Sequence, residues 1–182
     1  KTTLANALLA EIAATGDRVL VLEDTVELQC AARDHVPLRT RAGVVSMTEL
    51  VRSSMRLRPD RVVVGEVRGA EALDLIKVWG TGHPGGIATI HAGSALGALL
   101  RLEQLILEVA VNPPRALIAE AVNVVIYIAG RGRRRRIENI ARLNGFDGAG
   151  YRLADALETP FPEPPSQSDF SSPSLNHPGE LS

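Results

Sequence analysis

Apolar residues recur along this chain with two different periods, and the places where one period gives way to the other mark its elements. Leu4, Leu8, Leu9 and Ile12 follow Thr2-Thr3 at helical spacing, predicting a helix over 2–14 that ends at the Gly16-Asp17 turn. Residues 18–22 read as a buried strand, and 24–37 as a loop with a candidate edge strand over 36–40. Ser46 or Thr48 can cap a helix to about residue 57, which Pro59-Asp60 stops. The run Arg61-Val62-Val63-Val64-Gly65 is an apolar, β-branched stretch, the pattern of a parallel strand covered on both faces, and it delivers Glu66 to the strand end. Leu73, Ile76 and Val78 place a helix over 70–79, and the glycine-rich turn 80–86 leads to a short strand over 87–90. Ser94 opens a long helix to about residue 110, Pro113-Pro114 starts another to residue 121, and 123–129 is a strand. Residues 137–143 and 150–153 read as an antiparallel pair around Gly145-Phe146-Asp147-Gly148. Strands alternating with helices give an α/β domain with a mainly parallel sheet.

Composition narrows the picture. The 182 residues are enough for one domain, expected over 1–154. From residue 155 the chain turns to Pro160, Pro162, Pro164, Pro165 and repeated serines without Lys or Arg, predicting a disordered tail over 155–182. Hydrophobic residues make up 45 % but aromatics only 3 %, so the core is aliphatic and stacking on nucleic-acid bases is disfavoured. A net charge of −1 gives no global pull toward nucleic acid or membrane. The single cysteine, Cys30, excludes an internal disulfide and a cysteine-based zinc site. No apolar run reaches the ~20 residues of a spanning helix, and Lys1 leads into an amphipathic helix rather than a signal peptide.

Candidate chemistry gathers at the strand ends. Lys1-Thr2 followed by a helix matches the end of the phosphate-loop pattern G-x-x-x-x-G-K-[ST], in which the lysine meets phosphates and the hydroxyl takes Mg²⁺. Alone, that dipeptide is more often an ordinary polar helix start. If it is a phosphate loop, its glycines and the strand before it fall outside these residues, so the chain reads as a fragment of a longer protein. Glu66 is either a salt-bridged strand-end acid, paired with Arg68 or Arg58, or the group that polarises a water attacking a γ-phosphate. Gly65 stands where such hydrolases carry an aspartate, so the Mg²⁺-side carboxylate is expected from Glu23, Asp24 or Glu27; a solvated acidic turn is the equal alternative there. His91, between a strand end and a helix start, is a candidate phosphate sensor, although a lone histidine is usually structural. His83 fits either role, and no histidine pair has metal-ligand spacing. The run Arg131, Arg133, Arg134, Arg135 and Arg136 reads first as a solvated turn and second as a contact for a partner protein, anionic lipid or DNA backbone.

Taken together, these stretches resemble the secretion ATPase superfamily of type IV secretion, type II secretion and pilus motors. The matching segments are Lys1-Thr2-Thr3-Leu4 (end of Walker A), Val21-Leu22-Glu23-Asp24-Thr25-Val26-Glu27-Leu28 (the Asp box), Arg58 through Arg68 (Walker B) and Thr81-Gly82-His83 with Thr89-Ile90-His91-Ala92-Gly93-Ser94-Ala95 (the His box). Order and spacing fit over about 1–153, and the glutamate-leucine-glutamine-cysteine continuation after the Asp box is similar to the VirB11-like, conjugative TrbB branch. The resemblance implies a RecA-like P-loop NTPase core, here lacking its N-terminal strand and most of the Walker A loop. It implies ATP as substrate and Mg²⁺ as cofactor, with nucleotide binding by Lys1, Thr2 and Thr3, metal binding by Thr2, Glu23 and Asp24, catalysis by Glu66, Glu23 and His91, and charge stabilisation by Arg39 and Arg41. It further implies a hexameric ring, cytoplasmic and peripheral to a bacterial inner membrane, in contact with other apparatus ATPases and inner-membrane components; direct DNA binding is left open. The expected function is an ATP-hydrolysing motor of a conjugative type IV secretion system. The alternatives are a type IV pilus or type II secretion ATPase, the latter disfavoured without paired zinc cysteines, or an inactive truncated chain with a scaffold role.

Overall fold

The computed structural model describes residues 1–158. Seven strands and five α-helices carry the described chain. They are α1 (Thr2–Ile12), β1 (Val19–Glu23), β2 (His35–Arg39), α2 (Met47–Ser54), β3 (Arg61–Val64), α3 (Glu71–Gly80), β4 (Ile87–Ala88), α4 (Ala95–Ile106), α5 (Arg115–Ala121), β5 (Val124–Ala129), β6 (Arg136–Phe146) and β7 (Tyr151–Asp155).

The first four strands form a parallel sheet in the order β2-β1-β3-β4. Every residue of β1 is buried. Successive side chains alternate between faces, so the strand needs cover on both sides. Val19, Val21 and Val63 meet Leu9 and Ile12 of α1 on one face. Leu20, Leu22, Val62 and Val64 meet Leu50, Leu75, Leu99 and Ile118 from α2, α3, α4 and α5 on the other. β2 is the outer strand, alternately exposed and half-buried, with Pro37 at its centre.

The helix starts follow local chemistry. Ser46 caps α2 in a capping box: its hydroxyl accepts from Glu49 N at 3.3 Å, and Glu49 Oε2 accepts from Ser46 N at 2.7 Å. Ser94 caps α4 by accepting from Gly97 N at 2.9 Å. A 3-10 turn, Met55–Leu57, follows α2 and ends at Arg58 with φ 52°, a left-handed cap. α4 stops at Ile106, short of the residue 110 expected, and the prolines precede α5 rather than enter it.

The strand expected over 87–90 pairs only through Ala88, because its second half is engaged elsewhere. Thr89 O accepts from Val67 N at 2.9 Å, and the Thr89 hydroxyl donates to Gly65 O at 2.7 Å. The glycine-rich turn before it is closely packed. Trp79 Nε1 donates to Val62 O at 3.1 Å, and a Cβ on Gly86 would stand 2.0 Å from that nitrogen.

β5, β6 and β7 form a second, antiparallel sheet in that order. The expected antiparallel pair is β6 and β7, and β5 joins it instead of the parallel sheet. Leu143, Val125, Tyr151 and Leu153 tie this sheet to the main core. Arg115 Nε donates to both carboxylate oxygens of Glu103 at 3.0 Å, locking α5 to α4. β7 runs through Asp155, and Ala156 is buried with its N–H on Ile140 O, so ordered packing extends two residues past 154. The remainder of the expected tail, 159–182, lies outside the described residues.

Candidate active site

The carboxyl ends of β1 and β3 and the start of α1 converge, as ligand sites of open parallel sheets do. Glu23 closes β1 and Glu66 follows β3. Glu23 is buried, and its Oε1 accepts from Glu27 N at 3.0 Å and Leu28 N at 2.8 Å. The carboxylate therefore folds the acidic turn over itself. A Cβ at Gly65 would stand 3.2 Å from Glu23 Cγ, so the glycine opens the space that Glu23 fills.

That turn presents Glu27 to α1. Thr2 Oγ1 donates to Glu27 Oε2 at 2.9 Å. One helical turn on, Asn6 Oδ1 accepts from Gln29 N at 2.9 Å. Asp24 is engaged by other partners: it accepts from the Thr40 hydroxyl at 2.6 Å and lies 4.0 Å from Arg68. Thr3 is exposed.

Glu66 sits at the centre of the charges. Arg68 Nε donates to its Oε2 at 2.6 Å, and a second guanidinium nitrogen reaches the same oxygen. Its Oε1 is fully covered, 2.6 Å from His91 Nε2 and 3.8 Å from Lys1 Nζ, with no aligned hydrogen-bond donor. Lys1 Nζ instead donates to Ile90 O at 3.0 Å. Burial pulls the Lys1 ammonium below its ordinary pKa, and the neighbouring Glu66 opposes that pull.

The structure thus gathers Lys1, Thr2, Glu23, Glu66 and His91, with Asp24 at the rim. Arg39 lies beside Glu23 in the strand register but is exposed, and Arg41 begins an exposed turn closed on Val45. His83 has a structural contact, its Nδ1 2.7 Å from Pro59 O. The arginines from Arg131 to Arg136 occupy an exposed turn, where Arg136 pairs with Glu138 at 3.3 Å. The chemical expectations passed over Asn6 and Arg68 as site residues and left Glu27 as one of three acids. Thr2 and Asn6 stand four apart on one face of α1, which was the available signal.

A cavity of about 1020 Å³ opens above this cluster, and β4 and β5, each the last strand of its sheet, both line it. A covered carboxylate oxygen without a donor, an ammonium, and a hydroxyl at a helix start facing an acid fit Mg²⁺ and a nucleotide phosphate chain. Among the described residues no three acids, histidines or cysteines cluster as a metal cage.

The family model for "Type II/IV secretion system protein" matches residues 1–131. The chain is 49 % identical over 154 residues to the conjugal transfer protein TrbB of Rhizobium radiobacter, covering 84 % of this chain and 47 % of that protein. It is 38 % identical over 156 residues to the type IV secretion system protein PtlH of Bordetella pertussis, covering 77 % and 46 %. The crystal structure of the VirB11 ATPase from the Brucella suis type IV secretion system, in complex with sulphate, superposes with a TM-score of 0.69 at 32 % identity, over 78 % of this chain and 44 % of that one. The pilus retraction motor PilT shares the fold, at a TM-score of 0.56 and 19 % identity over 81 % of this chain and 41 % of that one. The chain spans about half the length of the curated relatives it matches. On the family match and these identities, the chain belongs to the type II/IV secretion system protein family, among its VirB11- and TrbB-like members.

Proposed function

We propose that this chain is the catalytic part of an ATP-hydrolysing motor of a conjugative type IV secretion system, working as a ring on the cytoplasmic face of a bacterial inner membrane. The observation that carries the reading is the covered Glu66 Oε1, set between His91 Nε2 at 2.6 Å and Lys1 Nζ at 3.8 Å. Lys1 would exchange its contact with Ile90 O for phosphate oxygens. Thr2, with Glu27 behind it, and Glu23 would hold the metal side. Mg²⁺, when bound, neutralises charge on the phosphates. Once His91 Nε2 and Lys1 Nζ have turned to the phosphates and uncovered it, Glu66 Oε1 would accept a hydrogen bond from the attacking water and receive its proton, while His91 Nε2 reads the transferred phosphate. Relatives named for conjugal transfer and type IV secretion support the apparatus.

Mg-ATP hydrolysis tests this in the longest natural chain that carries this sequence. Glu66→Gln keeps the shape and removes the base, so turnover should fall about 10²–10⁴-fold with nucleotide binding retained. Equal turnover in the two proteins overturns the assignment.

A further inference from the structure

Glu66 does not hold its own orientation. Its carboxylate follows β3 in an irregular segment and hangs on three rotatable side-chain bonds, so its direction depends on what grips it. Arg68 supplies the restraint, with Nε and a second nitrogen both on Oε2, which leaves Oε1 facing Lys1 and His91. An exposed ion pair two residues apart in sequence is ordinarily worth little. This one differs because the carboxylate is 17 % exposed and the backbone carrying the guanidinium is itself anchored. Glu71, buried in the first turn of α3, accepts from both Arg68 N at 2.7 Å and Gly69 N at 2.9 Å through one oxygen. A Cβ at Gly69 would stand 3.3 Å from Glu71's other oxygen, so the turn closes tightly on this acid. The far side of the guanidinium lies 4.0 Å from Asp24, across the mouth of the site.

We infer that Arg68 is a positioning residue, set by Glu71, which ties down Oε2 of Glu66 and so keeps Oε1 turned toward Lys1 and His91, the side on which the reaction would run. The inference rests on the hydrolase reading above. The guanidinium meets Glu66 directly and Asp24 only at 4.0 Å, so its loss is expected to act chiefly through Glu66. A planar fork is needed to hold the oxygen from two nitrogens, and an ammonium cannot reproduce it.

The test is Mg-ATP turnover by wild type, Arg68→Ala, Arg68→Lys and Glu66→Gln in the longest natural chain, with Tm and ADP affinity measured alongside. The expected result is a fall in kcat of about 10–100-fold in Arg68→Ala, with KM within about twofold. Arg68→Lys should recover little. Added guanidinium ion should restore part of the Arg68→Ala rate and none of the Glu66→Gln rate. An unchanged kcat, a rise in KM alone, or a loss that guanidinium does not rescue and that tracks a drop in Tm overturns the inference. A wild type that binds ATP without turning it over overturns the hydrolase reading, and this inference with it. An active wild type with an undisturbed Arg68→Ala overturns only the role of Arg68.

Discussion

The two sheets of this molecule are built under different rules. β1 is buried at all five positions, with helices on both faces. β5 is half-exposed at all six, although Val124, Val125, Ile126, Tyr127, Ile128 and Ala129 form a more continuous apolar run than β1 itself. The difference comes from neighbours. β1 has a paired strand on each side, whereas β5 has β6 on one side and the cavity on the other. An apolar run therefore records that a strand needs cover, and only the three-dimensional arrangement says where the cover stands.

Substitutions can break or sharpen this contrast. Leu20→Ala removes a fully buried side chain from the parallel sheet and should cost about 3 kcal/mol, read by denaturant unfolding. Gly86→Ala drives a methyl into Trp79 and the Val62 carbonyl, 2.0 and 2.5 Å away, and should cost about 2 kcal/mol on the same scale. A Gly86→Ala protein of unchanged stability would show that the turn before β4 yields freely.

Glu103→Gln probes the seam between the two sheets by pH. Burial raises the Glu103 carboxyl, but the hydrogen bonds and charge of Arg115 more than offset it, so the folded pKa lies below the ordinary 4.5. A depressed acid stabilises above its unfolded pKa and loses that contribution as pH falls through the folded value. Wild type should therefore outlast Glu103→Gln in thermal melts at pH 7, and the two should converge as pH falls past 4.5 and through the lowered folded value. Parallel curves across that range would remove the pair from the stability account. The smallest effect is expected at Ile126→Ala in β5, about 1 kcal/mol, because the side chain is only part-buried. A loss as large as at Leu20 would mean that β5 is covered in solution.

Much of the parallel half was legible in the sequence because its signals are local. The Val62-Val63-Val64 run and the Ser94 cap act within a few residues and recur where expected, and of the two caps expected for α2, Ser46 or Thr48, Ser46 is the one used. The convergence of Lys1, Glu66 and His91 was legible as a family pattern. Its geometry was not, since Glu23 folding its own turn and Arg68 seizing one oxygen of Glu66 depend on side-chain directions that spacing does not encode. The partnership of β5 with β6 was open for the same reason: alternation of strands and helices predicts a sheet but not which edge a strand joins. Thr89 and Ile90 show the converse, a strand-like pattern spent on Val67 and Lys1 instead of a ladder.

The parallel sheet ends in two unlike borders. At the far one, β2 alternates exposed positions with half-buried ones and places Pro37, which has no N–H to offer, at its midpoint. At the near one, β4 offers two paired residues and the open cavity beyond. Proline and exposed charge deter a passing chain from zipping on. The sheet is therefore guarded at one border and open at the other, and a segment that extended it at the open border would arrive beside Lys1, Glu66 and His91, where adding a strand and building the candidate site would become the same event.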